Sequence, residues 1–258
     1  MFNRKKVNVE EQKKMALELN RKRLLNEKTR FDVKEAYKEL RTNIMFSLPG
    51  GGCKKILLTS SVASEGKSTT NMNLAITVAE TGAKVVLVDC DMRRPNVARL
   101  LGEKGDIGLS NVLVNDCTVK SAVHKTKYNN LDVLYAGKIP PNPAELLSSD
   151  KMKELVNTLS AEYDYIFFDT PPINLVTDAA LISSLADGVV LVSRQFVTER
   201  KLLLQAVEKL KFVNAKIIGV VLNDVGMLKS GYGAYGKYKR YGGYYKYKYS
   251  ADYGSYSD

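Results

Sequence analysis

Six short runs of apolar residues, separated by stretches with helical spacing, set the tightest limit on what this chain can fold into. They are KKILLTS (54–60), AKVVLVDCD (83–91), LDVLYAG (131–137), DYIFFDT (164–170), GVVLVSR (188–194) and KIIGVVLND (216–224). Helical patterns are predicted at about 67–81, closed by Gly82, from near Pro143, at about 178–186 and at 198–213. Strands that are apolar on both faces belong in a parallel sheet whose crossover helices cover both sides. The predicted fold is therefore α/β, a doubly wound and mostly parallel sheet, with ligands gathering at the carboxyl ends of its strands.

A leading helix precedes the sheet. Val33, Ala36, Tyr37, Leu40, Ile44 and Met45 recur at helical spacing, and the PGGG from Pro49 ends the pattern. Three parts are expected: a charged extension (1–30), an α/β domain (31–228, with the leading helix at 31–48) and a tyrosine-rich tail (229–258). The net charge of +11 sits mostly at the ends, +6 in residues 1–30 and +4 in residues 229–258, which leaves +1 for the 198 residues between. Charged ends on a near-neutral body suit electrostatic tethers to anionic lipid or an acidic partner, rather than a nucleic-acid-binding surface. Cys53, Cys90 and Cys117 form neither a disulfide framework nor a CxxC metal pattern, which fits a reducing compartment. No apolar run reaches the roughly 18 residues of a membrane span, and the charged start lacks the apolar core of a signal peptide. His124, the sole histidine, lies outside every motif.

Three motifs fall at predicted strand ends. Ser61-Val-Ala-Ser-Glu-Gly66-Lys67-Ser68 follows the first strand and opens a helix, as a phosphate-binding loop requires, although Ser61 stands where the first glycine is usual. Gly66 lets backbone N–H groups turn inward, Lys67 reaches β/γ-phosphates, and the Ser68 hydroxyl suits Mg²⁺. The second strand ends in Asp89 and Asp91, two residues apart and so expected on one side of it. The fourth ends in Asp169. Carboxylates at the ends of buried strands are costly unless a cation meets them, and Mg²⁺ on a triphosphate is such a cation.

With Ala-Ser-Glu-Gly-Lys-Ser-Thr, Val-Asp-Cys-Asp-Met-Arg-Arg-Pro and Phe-Phe-Asp-Thr-Pro-Pro in place, the chain from about Val33 onward resembles the bacterial tyrosine kinases of capsule and exopolysaccharide synthesis. That family belongs to the MinD/ParA-like branch of P-loop NTPases, and this chain resembles its separate, soluble Gram-positive type. The resemblance implies ATP and Mg²⁺ as cofactors, with ATP bound by Ser64, Glu65, Gly66, Lys67, Ser68, Thr69 and the purine-contacting Asn223. It implies Lys67, Asp89 and Asp91 as catalytic residues, and Ser68, Asp89 and Asp169 as the metal site. Tyrosine titrates near pH 10, so a base should take its proton, and Asp89 is assigned that role. Arg93 and Arg94 are candidates to steady phosphoryl oxygens. The resemblance further implies a ring oligomer docked through Glu35, Lys38 and Arg41, where Lys38 replaces an arginine of the family's motif. A transmembrane, co-polymerase-type adaptor, a cognate tyrosine phosphatase and other protein substrates are the implied partners. The implied location is the cytoplasm, at the inner face of the membrane.

Ten of the fifteen tyrosines lie in the tail: Tyr232, Tyr235, Tyr238, Tyr241, Tyr244, Tyr245, Tyr247, Tyr249, Tyr253 and Tyr256. Gly-Tyr repeats with lysine are too poor in aliphatic residues to build a core, so this segment is expected to be disordered. Thirty extended residues reach up to about 100 Å, enough to enter a neighbouring active site as a phosphate acceptor. Two other readings compete with the kinase. One is a MinD/ParA-type ATPase switch for positioning or partition, disfavoured because Val62 occupies the place of that group's signature lysine and no amphipathic carboxy-terminal helix is evident. The other is a nucleic-acid-binding tail of stacking tyrosines and basic side chains on an inactive domain.

Overall fold

A computed structural model of the protein describes residues 22–225; the tail and all ten of its tyrosines lie outside the described residues, as do residues 1–21. In chain order the elements are α1 (Phe31–Ser47), β1 (Lys54–Ser60), α2 (Lys67–Ala79), β2 (Val85–Asp89), α3 (Val97–Leu101), α4 (Leu109–Leu113), α5 (Val119–Ala122), β3 (Val123–Lys125), β4 (Leu131–Leu134), α6 (Pro143–Ser148), α7 (Asp150–Glu162), β5 (Tyr165–Asp169), α8 (Asp178–Ser183), β6 (Gly188–Arg194), α9 (Arg200–Phe212) and β7 (Ile217–Asn223).

The seven strands form one sheet in the order β3-β4-β2-β5-β1-β6-β7. Every pairing is parallel except β3 with β4. All six expected strands are present. The short antiparallel β3 was not foreseen, because three residues with a half-exposed pattern carry no periodic signal.

The alternation of side chains along the strands divides the core into two layers. Leu57, Val86, Val88, Phe168, Val189 and Leu191 face the side covered by α4 to α9. Ile56, Leu58, Val85, Leu87, Phe167, Val190 and Val192 face the side covered by α1, α2 and α3. Both faces of the central strands are dry, which is why their sequences read as continuous Val/Ile/Leu runs.

The packed body begins earlier than residue 31. Leu24 and Leu25 are buried in the α1/α2 layer. The Leu25 N–H donates to Asn73 Oδ1 at 2.8 Å, and Asn73 Nδ2 donates to the Arg23 carbonyl at 3.0 Å and to Tyr37 Oη at 3.1 Å. A segment read from its charge as an extension thus contributes two leucines to the core. The basic residues around them stay at the surface, and so the composition hid the burial.

Truncating a buried leucine removes its transfer energy and leaves a cavity, so Leu24→Ala is expected to lower the free energy of unfolding by about 2–4 kcal/mol. Lys22→Ala, two residues away and exposed, is expected to leave it unchanged. Urea unfolding of the two variants checks the difference.

Candidate active site

The phosphate-binding loop leaves β1 at Ser60 and enters α2 at Lys67. Gly66 caps the helix in the left-handed region, at φ +87°, and a Cβ there would collide with the Asn223 side chain. Glycine is therefore required twice, for backbone conformation and for clearance. Immediately beyond it, the free N–H groups of the first turn of α2 offer positive potential to an anion.

Glu65 keeps this loop in shape. Its carboxylate is completely buried and accepts from Ser61 Oγ at 3.0 Å, the Val62 N–H at 2.7 Å, the Arg194 N–H at 3.4 Å and the Thr198 hydroxyl. Expected to bind ATP, the Glu65 side chain instead braces the loop from inside and ties it to the segment between β6 and α9. Asn223 does related work from the end of β7, where its Nδ2 donates to the Glu65 carbonyl at 2.9 Å. The side chain read as a purine contact is thus engaged with the loop backbone. Ser64, at φ +66°, and Thr69 line the outer part of the same turn and helix start.

Three carboxylates face Lys67 from adjacent strand ends. Asp89 and Asp169 close β2 and β5 in register with each other. Asp91 lies just past the end of β2, in the turn, rather than on the strand as its spacing had suggested. Lys67 Nζ lies 3.2 Å from Asp91 Oδ2 and 3.6 Å from Asp169 Oδ2, and donates to Ser68 Oγ at 3.3 Å. Burial is the largest influence on the Lys67 ammonium and favours its neutral form. The charges of Asp169, Asp91 and Asp89 outweigh burial and hold its pKa above the ordinary lysine value.

The two buried aspartates differ in their surroundings. The Asp89 pKa is pushed up to about 7, first by burial and then by the charge of Asp169. Its Oδ1 accepts from the Asp91 N–H at 3.2 Å, and its Oδ2 from the Asn96 and Val97 N–H groups at 3.2 and 3.1 Å. Asp89 therefore holds the 89–97 turn together through both oxygens, and Oδ1, with a single N–H bond, keeps a lone pair for a further partner. Asp169 is equally buried, and burial raises its pKa against the lowering effect of Lys67. Neither of its oxygens has a hydrogen bond of ordinary geometry, although Ser68 and Asn71 stand close enough to ease its charge.

Those orphaned oxygens beside a serine hydroxyl fit Mg²⁺, a hard cation that prefers oxygen ligands. Among the described residues, no group of three or more His, Cys, Asp or Glu forms a metal cage by itself. Mg²⁺ commonly takes one or two carboxylates and completes its shell with phosphate and water. Ser68 and Asp169 are the two side chains placed for that.

Other expected site residues are distributed differently. Arg93 makes a two-pronged ion pair with the buried Asp178 of α8, at 2.9 and 3.0 Å, so its guanidinium anchors the 89–97 turn rather than a phosphoryl group. Arg94 has an exposed side chain, and its N–H donates to Asp91 Oδ1 at 3.0 Å. On α1, Lys38 pairs with Glu35 at 2.7 Å on the surface, whereas Arg41 Nη1 reaches the Thr77 carbonyl of α2 at 2.8 Å. The helical spacing placed the three on one side but could not show that Arg41 binds within its own chain. The bracing roles of Glu65, Thr198 and Asp178 carried no sequence signal, since each pairs with a residue remote in the chain.

A family described as an AAA domain matches residues 54–218. The chain is 43% identical over 203 residues to the tyrosine-protein kinase YwqD of Bacillus subtilis, across 78% of this chain and 86% of that protein. Its fold is similar to the kinase domain of the Escherichia coli tyrosine kinase ETK, with a TM-score of 0.74 and 29% identity, covering 79% of this chain and 80% of that one. It is also similar to the septum site-determining protein MinD of Pyrococcus horikoshii, solved with Mg-ADP, with a TM-score of 0.58 and 26% identity over 67% of this chain and 71% of that one.

The Asp89 carboxyl gives the site a pH signature. Its pKa in the folded protein, about 7, lies above the ordinary 3.8, so between these values the folded state binds more protons than the unfolded one. This contribution to stability is fully present below the lower value and is lost as pH rises through the upper one. In Mg²⁺-free buffer, the Tm of Asp89→Asn relative to the parent is expected to be higher at pH 8 than at pH 5. Thermal unfolding at the two pH values checks the sign.

Proposed function

The chain belongs to the bacterial tyrosine-protein kinases, and from that premise we propose that it transfers the γ-phosphoryl of MgATP to tyrosines of its own segment 229–258, in trans between subunits. Its activity is that of a tyrosine-protein kinase. The observation that carries the fuller reading is the convergence of Lys67 and Ser68, at the start of α2, with Asp91 and Asp169 at neighbouring strand ends. A chain that also carries ten tyrosines in residues 229–258 holds both catalyst and acceptor.

The roles follow from charge and position. Phosphate oxygens at the start of α2 meet the helix amides and take over the Lys67 ammonium, which releases Asp91 and Asp169 from their ion pairs. Ser68 and Asp169 would hold Mg²⁺, which neutralises charge on the transferred group. A tyrosine hydroxyl in line with the γ-phosphorus forms the new O–P bond as the bond to ADP breaks, and its proton passes to a carboxylate. Asp89, with a pKa of about 7, is tuned for that acceptance. Oδ1 is the oxygen placed for the proton, since Oδ2 already accepts from the Asn96 and Val97 N–H groups.

The wider setting rests on the family resemblance. Phosphorylation in trans implies subunits close together, with Glu35 and Lys38 of α1 as the exposed contact. Each phosphotyrosine adds about −1.5 to −2, so modification reverses the +4 of residues 229–258 and supplies a signal for disassembly. A transmembrane adaptor would bring the kinase to the inner face of the membrane, where it regulates capsular or extracellular polysaccharide synthesis and export, and a tyrosine phosphatase would reset it. Among the described residues no helix is long and apolar enough to cross a membrane.

Incubation with MgATP followed by mass spectrometry is expected to find phosphotyrosine in residues 229–258 of the parent. Lys67→Met and Ser68→Ala are each expected to reduce it by at least 100-fold. Phosphate release without any phosphotyrosine in the parent would point instead to a switch ATPase.

A further inference from the structure

Asn223 spends one amide N–H on the loop backbone and offers a purine at most an edge-on hydrogen bond, so the face of the base needs a separate contact. The structure offers another group. Phe196 is 83% exposed, and its backbone lies at φ +60°. Asn and Asp adopt that left-handed region with some frequency, whereas a bulky residue there is an outlier. Such a conformation persists only where its surroundings enforce it, and it clusters at ligand-binding positions.

The surroundings are explicit. Phe196 lies in the short segment between β6 and α9, which is fastened to the phosphate-binding loop on both sides of the ring. On one side the Arg194 N–H donates to Glu65 Oε1 at 3.4 Å, and on the other the Thr198 hydroxyl donates to the same oxygen. The Arg194 N–H also donates to Thr198 Oγ1 at 3.0 Å, which closes the segment into a tight turn. The next residue is held too, since the Gln195 N–H donates to the Asn223 carbonyl at 3.0 Å. Arg194 grips Asp224 through Nε and Nη2 at 3.0 and 2.8 Å. A large apolar ring is thus presented to solvent by a turn rigidly coupled to the loop that binds phosphate.

Sheet order says which part of the nucleotide lies near it. β1 carries the loop, with β5 and β2 on one side and β6 and β7 on the other. Asp89, Asp91 and Asp169, where the γ-phosphoryl reacts, all lie on the β5/β2 side. The opposite side of the loop, over the carboxyl ends of β6 and β7 where Phe196 is held, is the side left for the nucleoside.

We propose that Phe196 is the platform on which the adenine ring of ATP stacks; this rests on the MgATP reading of the site. The ring supplies an apolar face to a base, and the turn that holds it keeps a fixed distance from the phosphates through Glu65. Asn223 and Thr198 then act as positioning residues for that distance, and the face of the base is met by a side chain outside the recognised motifs.

Titration calorimetry of the full chain with Mg-ADP and, separately, with Mg-tripolyphosphate tests the assignment without reference to catalysis. Loss of a base–aromatic stack is expected to weaken Mg-ADP binding by about tenfold in Phe196→Ala and Phe196→Gly, and to leave tripolyphosphate binding unchanged. Phe196→Trp should retain Mg-ADP affinity and should quench the fluorescence of 2-aminopurine riboside triphosphate. Phe196→Gly should also raise the Tm, since glycine accepts the left-handed backbone without strain. Unchanged Mg-ADP affinity in Phe196→Ala would overturn the proposal and leave the ring as a contact for a protein partner. Equal loss of Mg-ADP and tripolyphosphate would overturn it as well, because the residue would then act through the shape of the loop. A parent chain that binds neither probe would defeat the kinase reading itself, an outcome distinct from the other two.

Discussion

Burial of negative charge at the carboxyl end of a dry parallel sheet is the constraint around which this molecule is arranged. Asp89 and Asp169 end neighbouring strands in register, with no solvent to screen them. Burial raises the proton affinity of both, and a neighbouring carboxylate adds to it in each case, Asp169 for Asp89 and Asp91 for Asp169. The structure answers with three devices. Lys67 brings an ammonium to Asp91 and Asp169, backbone N–H groups of the 89–97 turn cover Asp89, and the Asp169 oxygens remain open to a cation beside Ser68. A site held in this way favours Mg²⁺ and phosphate together, because each relieves a charge that the other part of the site leaves uncompensated.

A second buried carboxylate, that of Glu65, serves shape rather than charge transfer. It joins the phosphate-binding loop to the segment after β6, and Asn223 joins the same loop to the end of β7. Three strand ends that are far apart in the chain become one rigid unit. Rigidity matters here because phosphoryl transfer depends chiefly on positioning and on charge already in place. The strained backbone at Phe196 belongs to this unit, and the fastening on both sides of it explains how the conformation is kept.

Sequence and structure disagree in informative places. The six apolar strands were legible because each is buried on both faces and owes its pattern to that alone. β3 was not, since a three-residue edge strand has no room for a pattern. Leu24 and Leu25 were hidden by the charges beside them, which stay in water while the leucines turn inward. At the site, the sequence pattern places Gly66, Lys67, Ser68 and Asp169 at strand ends, and the structure brings Lys67, Ser68 and Asp169 together there. Glu65, Asn223, Arg93 and Arg41 have the residue types of ligand contacts, yet each bonds within the chain. Residue type gives the capacity to bind; only the neighbours decide what is bound.

By itself, then, the sequence determined the alternating α/β architecture, the phosphate-binding loop and the presence of acidic residues at the strand ends. These are local consequences of periodicity and of chemistry confined to a few adjacent residues. Tertiary structure alone decided which carboxylate stays open and which is covered, and where the body of the domain begins. It also decided that Phe196 is held beside the loop. Those outcomes depend on contacts across more than a hundred residues of chain, such as Glu65 with Thr198, and hydrogen bonds of that range leave no local pattern to read.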